Sequence, residues 1–241
     1  MRSITKGSEP NSPTQYRLRG DASYDGYPDK DTLRTFLVAE QRGLCCYCMS
    51  RIRAEWGAVK IAHWHAQHPQ TQTEFPGEEL LYSNLLAACK GNEGNVNPVA
   101  SSDSSNSNLL AACKGNEGRR GSRQHCDTAQ RNLNISRNPA NSAHRVSEVV
   151  RFSGDGTIYS DDPDFNGELN CVLNLNLDFL KTNRRATLEA FTMLLKKRGR
   201  LPPHTLNKLL REWDGETHSG ELAPYCQVVV YWLKKRLARR S

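Results

Sequence analysis

The spacing of the cysteines constrains the fold of this chain more than any other feature. Cys45 and Cys48 stand three residues apart, and thiolates at that spacing in a turn can both face one metal ion. Buried structural cysteines and redox pairs share this spacing, so the pair gains meaning only from a second half. Cys126 supplies part of that half, because it lies far along the chain between His125 and Asp127.

An internal repeat leaves two choices for the fourth ligand. Residues 83–94 recur letter for letter at residues 107–118, so Cys89 and Cys113 occupy equivalent places. Repeats that stack into solenoids are longer and need several copies, so we interpret this one as a local duplication inside a loop. We prefer Cys113 because it is nearer to Cys126, and Cys89 is the alternative. The prediction is a tetrahedral zinc site of four thiolates, from Cys45, Cys48, Cys113 and Cys126.

Composition limits the class of protein. The formal net charge is +7 and the sequence pI is about 9.0, which favours an anionic partner. The chain has no apolar run long enough for a transmembrane helix, and residues 1–7 lack the apolar segment of a signal peptide. Without that peptide, eight cysteines indicate metal binding rather than disulfides. We therefore predict a cytoplasmic protein that does not associate with membranes.

Hydrophobic periodicity predicts an α+β chain in three parts. Residues 1–40 form an irregular N-terminal arm and the helix that leads into the core, residues 41–137 form the core itself, and residues 138–241 form a hairpin followed by a helical region. In the core we predict a hairpin whose strands lie within residues 49–60 and 61–67.

His63 is the candidate for acid–base chemistry. A histidine in a cleft can remove a proton from water near neutral pH, although most single histidines are simply satisfied by hydrogen bonds. His63 lies between the two cysteine halves in the sequence, which favours a functional role. His65 and His68 are interpreted as structural.

Two basic runs lie near the C-terminus, at residues 196–200 and 234–240. Lysine and arginine can bind phosphates through counterion release, but cations also favour helix C-termini for electrostatic reasons. The first run fits both interpretations equally. For the second, core packing of the helix with a solvated basic tip is the default, and contact with a partner protein or with nucleic acid stays open.

Several motifs together resemble those of PtuB-type HNH endonucleases, the nuclease component of Septu anti-phage systems, which are also found with some retrons. The resemblance covers nearly the whole chain. Its motifs are residues 1–10, residues 40–48, His63-Trp64, the Asn-Leu-Leu-x-x-Cys-x-Gly motif that occurs at residues 84–91 and again at residues 108–115, His125-Cys126-Asp127 and residues 172–176.

The resemblance implies a fold and a set of partners. The fold would be a ββα-metal (His-Me finger) core stapled by structural Zn²⁺. The activity would be hydrolysis of phosphodiester bonds in nucleic acid, DNA or alternatively tRNA, with a catalytic divalent ion such as Mg²⁺. The partner would be a PtuA-type ABC ATPase, and in a retron setting also the reverse transcriptase and its RNA–DNA product.

The resemblance also implies roles for individual residues. His63 would be the general base, Asp127 would help bind the catalytic ion, and Asn84 (or Asn108 in the second copy) would brace the loop that carries the histidine. Ala62 departs from the family pattern, because an acidic metal ligand usually precedes the histidine. We therefore expect weakened metal binding, and an impaired zinc-containing assembly subunit is the alternative function.

Overall fold

The computed structural model describes residues 1–55, 57–67, 77–93 and 122–239. These residues form a mixed α+β fold with eight α-helices and two small antiparallel sheets. The helices are α1 (Asn11–Arg17), α2 (Lys30–Glu40), α3 (Cys126–Gln130), α4 (Val146–Val149), α5 (Pro163–Gly167), α6 (Asp178–Lys197), α7 (Pro203–Asp214) and α8 (Cys226–Ala238). The strands are β1 (Val59–His63), β2 (Leu85–Cys89), β3 (Val150–Phe152) and β4 (Ile158–Ser160). Short 3₁₀ helices span Glu78–Leu80, Tyr82–Asn84 and Ser142–His144, and a π-helix spans Glu168–Val172.

Strands β1 and β2 and helix α3 form a ββα arrangement. The strands pair antiparallel in a register that runs from Val59 opposite Cys89 to His63 opposite Leu85, and α3 packs against both of them. The predicted hairpin was therefore wrong, since the partner of β1 lies more than twenty residues downstream. Strand β2 is buried along almost its whole length, so it lacks the alternation that reveals a half-buried strand.

The N-terminal arm contains a helix that the prediction of irregular structure missed. Helix α1 follows Pro10 and has Pro13 in its first turn. Proline is tolerated there because the amide it lacks would have no partner inside the helix. Tyr16 from α1 packs against Tyr27, with ring centroids 5.2 Å apart. The arm therefore folds onto itself before α2 begins.

The C-terminal part contains the predicted hairpin and a helical region. Strands β3 and β4 pair around Gly154 and Gly156, as expected, and helices α6, α7 and α8 follow. An apolar cluster joins these three helices through Phe191, Leu195, Leu206, Val229 and Leu233. Among the described helices, none combines the length and the apolar character needed to cross a bilayer. The division of the chain into three segments stays a prediction.

Candidate metal centre

Four cysteine sulfurs lie close enough together to bind one ion. The Sγ atoms of Cys45, Cys48, Cys89 and Cys126 all lie within 4.8 Å of one another. Cys45 Sγ is 3.8 Å from Cys126 Sγ, and Cys48 Sγ is 3.7 Å from Cys89 Sγ. A tetrahedron with Zn–S bonds of about 2.3 Å has edges of about 3.8 Å, and all four thiols are free. The donor set therefore fits zinc.

The fourth sulfur belongs to Cys89, whereas the sequence favoured Cys113. Cys89 is the last residue of β2 and pairs with Val59 of β1. Cys113 and Asn108 lie outside the described residues. Distance along the chain was a poor guide because strand pairing, rather than sequence proximity, brings Cys89 to the cluster.

A tight turn presents Cys45 and Cys48 to the same point. The Met49 amide donates to the Cys45 carbonyl at 3.1 Å, and the Cys45 amide donates to the Ser50 carbonyl at 2.9 Å. Met49 has φ of +65°, the left-handed conformation that reverses the chain after the second cysteine. The Cys46 amide donates to the Ala87 carbonyl at 3.0 Å, so the turn is attached to β2.

Several polar groups contact the sulfurs from outside the cluster. The Cys89 amide lies 3.3 Å from Cys45 Sγ, Ser50 Oγ lies 3.1 Å from Cys48 Sγ, and His125 Nδ1 lies 3.1 Å from Cys126 Sγ. Such outer contacts fix the orientation of metal ligands. A hydrogen bond with Cys126 lowers the pKa of the Cys48 thiol to about 6, whereas burial raises the pKa of Cys126. Full deprotonation of four adjacent thiols therefore needs a cation.

A buried polar network places Cys126, and sequence reasoning missed its role. Cys126 has φ of +56°, which is uncommon for a residue with a side chain, and its amide donates to the Leu173 carbonyl at 2.9 Å. Asn174, fully buried, donates through Nδ2 to the carbonyls of Ser122 and Gln124 at 3.3 and 2.7 Å. The segment after the π-helix thus supports the stretch of chain that carries Cys126.

Arg184 extends this network into α6. Its guanidinium is fully buried and donates to the carbonyls of Gly156 and Leu175 and to Oδ1 of Asn176. Burial lowers the pKa of Arg184 to about 10, so the side chain stays charged at neutral pH. A sequence signal existed, because Arg184 falls four residues after Leu180 on the buried face of α6.

His63 ends strand β1 and is held by a carbonyl. It is 8% exposed, and Nε2 lies 3.0 Å from the Glu79 carbonyl oxygen. A carbonyl only accepts, so Nε2 donates, and in the neutral ring Nδ1 is then the nitrogen that can take a proton. The Tyr24 ring packs edge-on against the imidazole at 4.4 Å between centroids.

Asn84 braces the loop that follows His63. Its Oδ1 accepts from the His65 amide at 2.8 Å, and its Nδ2 donates to the carbonyls of His65 and Glu78 at 3.1 and 3.0 Å. Gln130 of α3 adds a second brace that the sequence did not suggest. Its Nε2 donates to the carbonyls of His63 and Trp64, each at 3.1 Å.

Asp127 lies in the first turn of α3 and is paired with a lysine. Its Oδ2 is 3.4 Å from Lys60 Nζ, which also lies 3.1 Å from Glu93 Oε1. Burial raises the pKa of the Asp127 carboxyl, and the charge of Lys60 opposes that change. Burial raises the pKa of Tyr24 to about 12, and the negative charge of Asp127 contributes to this increase.

Ala62 is fully buried and pairs with Leu86 of β2. Because side chains alternate along a strand, its methyl group lies on the same face as Lys60. His65, the other nearby histidine, pairs through Nδ1 with Glu78 Oε2 at 2.5 Å. The site therefore contains the Asp127 carboxylate, whereas position 62, where the resemblance leads one to expect an acidic residue, has only a methyl group.

Comparison with known proteins leaves the family open. The chain matches no protein-family model and no curated protein.

Proposed function

We propose that this protein is an HNH-type endonuclease that hydrolyses phosphodiester bonds in nucleic acid with the help of a divalent metal. The observation that carries the proposal is the ββα arrangement, in which β1 ends at His63, α3 begins with Cys126 and Asp127, and four cysteine sulfurs lie close together beside the same pair of strands. The motif resemblance supports the same conclusion and suggests a defence complex with a PtuA-type ABC ATPase.

His63 would act as the general base. The Glu79 carbonyl keeps the proton of the neutral ring on Nε2, so Nδ1 can accept a proton from an attacking water molecule. The edge-on contact with Tyr24 and the low exposure of the ring limit its rotation. A fixed ring orientation matters because a general base must lie within hydrogen-bond reach of the proton it removes.

Asn84 and Gln130 would position the base rather than take part in the chemistry. Asn84 uses both ends of its amide on the backbone around the loop after His63, and Gln130 binds the carbonyl of His63 itself. Gln130 lies three residues after Asp127, on the same side of α3. One helix would therefore fix both the base and the acidic group.

The proposed chemistry also requires a divalent metal ion. When bound, a divalent ion such as Mg²⁺ would stabilise the developing charge on the phosphate and on the leaving oxygen. Mg²⁺ in proteins is usually held by one or two carboxylates and by water. Asp127 can provide one carboxylate, but Lys60 already neutralises it and Ala62 provides none.

The test is a cleavage assay on duplex DNA and on tRNA, with Mg²⁺ and with or without the ATPase. We expect His63→Ala to lower the cleavage rate by about 10²- to 10⁴-fold, the usual contribution of a general base. His204→Ala is the matched control, because His204 is exposed on α7. Cleavage by His63→Ala at the parent rate would overturn the assignment.

A second candidate function is a catalytically impaired zinc-containing subunit kept for assembly, and Ala62 is the observation that favours it. If the missing carboxylate limits metal binding, Ala62→Glu will raise Mg²⁺-dependent cleavage, while Ala62→Gln, of similar size and without charge, will not. Equal activity of the parent, Glu and Gln proteins would remove position 62 from the argument. Absence of cleavage in all three, with ATPase binding intact, would favour the assembly subunit.

A further inference from the structure

The positive charge of the protein is concentrated at one end of the helical region. Within the described residues, eight basic side chains lie at or just after the C-terminal ends of α6 and α8. They are Lys196, Lys197, Arg198, Arg200, Lys234, Lys235, Arg236 and Arg239. Without these eight, the 33 lysines and arginines would fall to 25, against 26 aspartates and glutamates. The whole positive excess of the chain therefore lies in these two segments.

The two segments meet in space. An open cavity of about 550 Å³ lies between them, and it is lined by Arg200, Leu201, Pro202, Pro203 and Arg239. The end of α6, the start of α7 and the end of α8 therefore converge at this cavity. Leu201 and Leu237 both pack against the apolar cluster beneath. We call this surface, formed by the eight basic residues and the concavity between them, the basic end.

Helix dipoles alone do not account for so much charge. The C-terminus of a helix carries about half a negative charge, so the two helix ends that meet here call for about one compensating cation. Eight are present, and all eight are exposed. The sequence has no aspartate or glutamate between residues 190 and 211 or between 222 and 241.

Neutralisation by neighbouring carboxylates is also absent in the described part of the chain. The ion pairs of α6 and of the α7 segment there are made by Lys181, Arg185 and Arg211, and none involves the basic end. Arg236 lies over the Trp232 ring, 5.0 Å from its centroid, which orders one guanidinium without neutralising it. An unpaired basic surface of this size has its charge available for an external polyanion.

We infer that the basic end binds the phosphodiester backbone of a nucleic acid duplex, outside the region of His63. Backbone contact fits better than base recognition, because arginine and lysine line the concavity and the described lining has no aromatic platform for stacking. This inference rests on the proposed nuclease function for the identity of the polyanion, and it deepens that function by giving the substrate a second point of attachment.

The experiment measures binding without cleavage. A labelled 20-base-pair duplex is titrated with full-length His63→Ala protein in Mg²⁺-free buffer across a series of salt concentrations. The variant K197Q/R200Q/R239Q is compared with R19Q/R53Q/R145Q, which removes the same charge from exposed arginines on other segments. Each lost phosphate contact reduces the slope of log Kd against log salt by about one. We expect the first variant to lose a slope of about two to three and at least about tenfold in affinity, and the second to change far less.

The inference would be overturned by an unchanged slope in the first variant, or by an equal loss in the control. It would also be overturned if the first variant lost binding to phosphatidylserine vesicles while still binding the duplex as the parent does, because the partner would then be an anionic membrane surface. Since binding is measured in a variant without the proposed base, a failure of the nuclease proposal in the cleavage assay leaves this result separate.

Discussion

The ββα region and the α6–α8 region of this protein are stabilised in different ways. In the first, two strands of five residues and a helix of five residues surround four clustered sulfurs, three of which belong to buried cysteines. In the second, helices of 20, 12 and 13 residues bury a shared apolar cluster. Isolated two-stranded hairpins and helices this short are marginal in water, so the ββα region depends on what joins its parts.

This difference explains where the proposed chemistry lies. A single metal ion can hold short segments from distant parts of the chain together even where those segments bury little apolar surface. His63 lies on β1, whose first residue, Val59, pairs with Cys89. Asp127 directly follows Cys126 at the start of α3. The helical region needs no such staple, and its exposed ends are free to carry charge.

Metal removal is the perturbation with the largest expected effect. Structural zinc contributes on the order of 10 kcal/mol of apparent binding free energy in zinc-finger peptides. Extraction of the ion should therefore expose the amides of β1, β2 and α3 to hydrogen exchange, while those of α6 and α8 keep their protection. Mass spectrometry of exchanged peptides measures this. Uniform loss of protection in both regions would mean that they form one cooperative unit and would break the comparison.

Substitution of a single ligand should have the next largest effect. Cys89→Ser removes one of the four clustered thiolates, so the bound zinc per chain should fall well below one and the thermal midpoint should drop. Cys113→Ser, from the second copy of the repeat, should retain zinc. Metal analysis of the two purified variants distinguishes the copies. Zinc loss in Cys113→Ser with retention in Cys89→Ser would reverse the assignment.

Asn174 tests the support of the cluster with a smaller effect. Asn174→Ala leaves the carbonyls of Ser122 and Gln124 without this donor. A buried polar group that loses its partner destabilises the fold by about 1–3 kcal/mol. Alanine is also strained at this position, because Asn174 has φ of +50°. We expect zinc affinity, measured by competition with a chromogenic chelator, to fall about 10- to 100-fold, as for other outer-shell partners.

Two further variants separate the causes of that effect. Asn174→Gly removes the same hydrogen bonds but adopts the left-handed conformation without strain. Asn207→Ala, at an exposed position of α7, is the control and should leave zinc affinity unchanged. Parent-like affinity in Asn174→Ala would show that Cys126 is placed by other contacts.

Parts of the cysteine cluster could be predicted from the sequence because the relevant pattern is local. The spacing of Cys45 and Cys48 and the isolated position of Cys126 predicted three of the four clustered sulfurs. The fourth could not be chosen, because the two copies of the repeat have identical letters and only strand pairing distinguishes Cys89. The roles of Gln130 and Asn174 could not be predicted either, because a side-chain amide that binds backbone far away in the sequence leaves no pattern along the chain.

The fold was predictable where periodicity was strong. The hairpin of β3 and β4 and the long C-terminal helices follow clear patterns, whereas β1 and β2 are short, buried and separated by a long connection. The prolines of the N-terminal arm predicted irregular structure where helix α1 lies, although Pro13 is in the first turn of that helix, where proline is tolerated.

We expect one zinc ion, bound by four thiolates, to organise the ββα region. This is tested by X-ray absorption at the zinc edge of the purified protein, combined with metal quantification. We predict one zinc per chain with four sulfur neighbours at about 2.3 Å. Two results would contradict this. One is the absence of zinc from protein that was produced in zinc-supplemented medium and purified under reducing conditions, and the other is a zinc shell in which nitrogen or oxygen replaces two or more sulfurs.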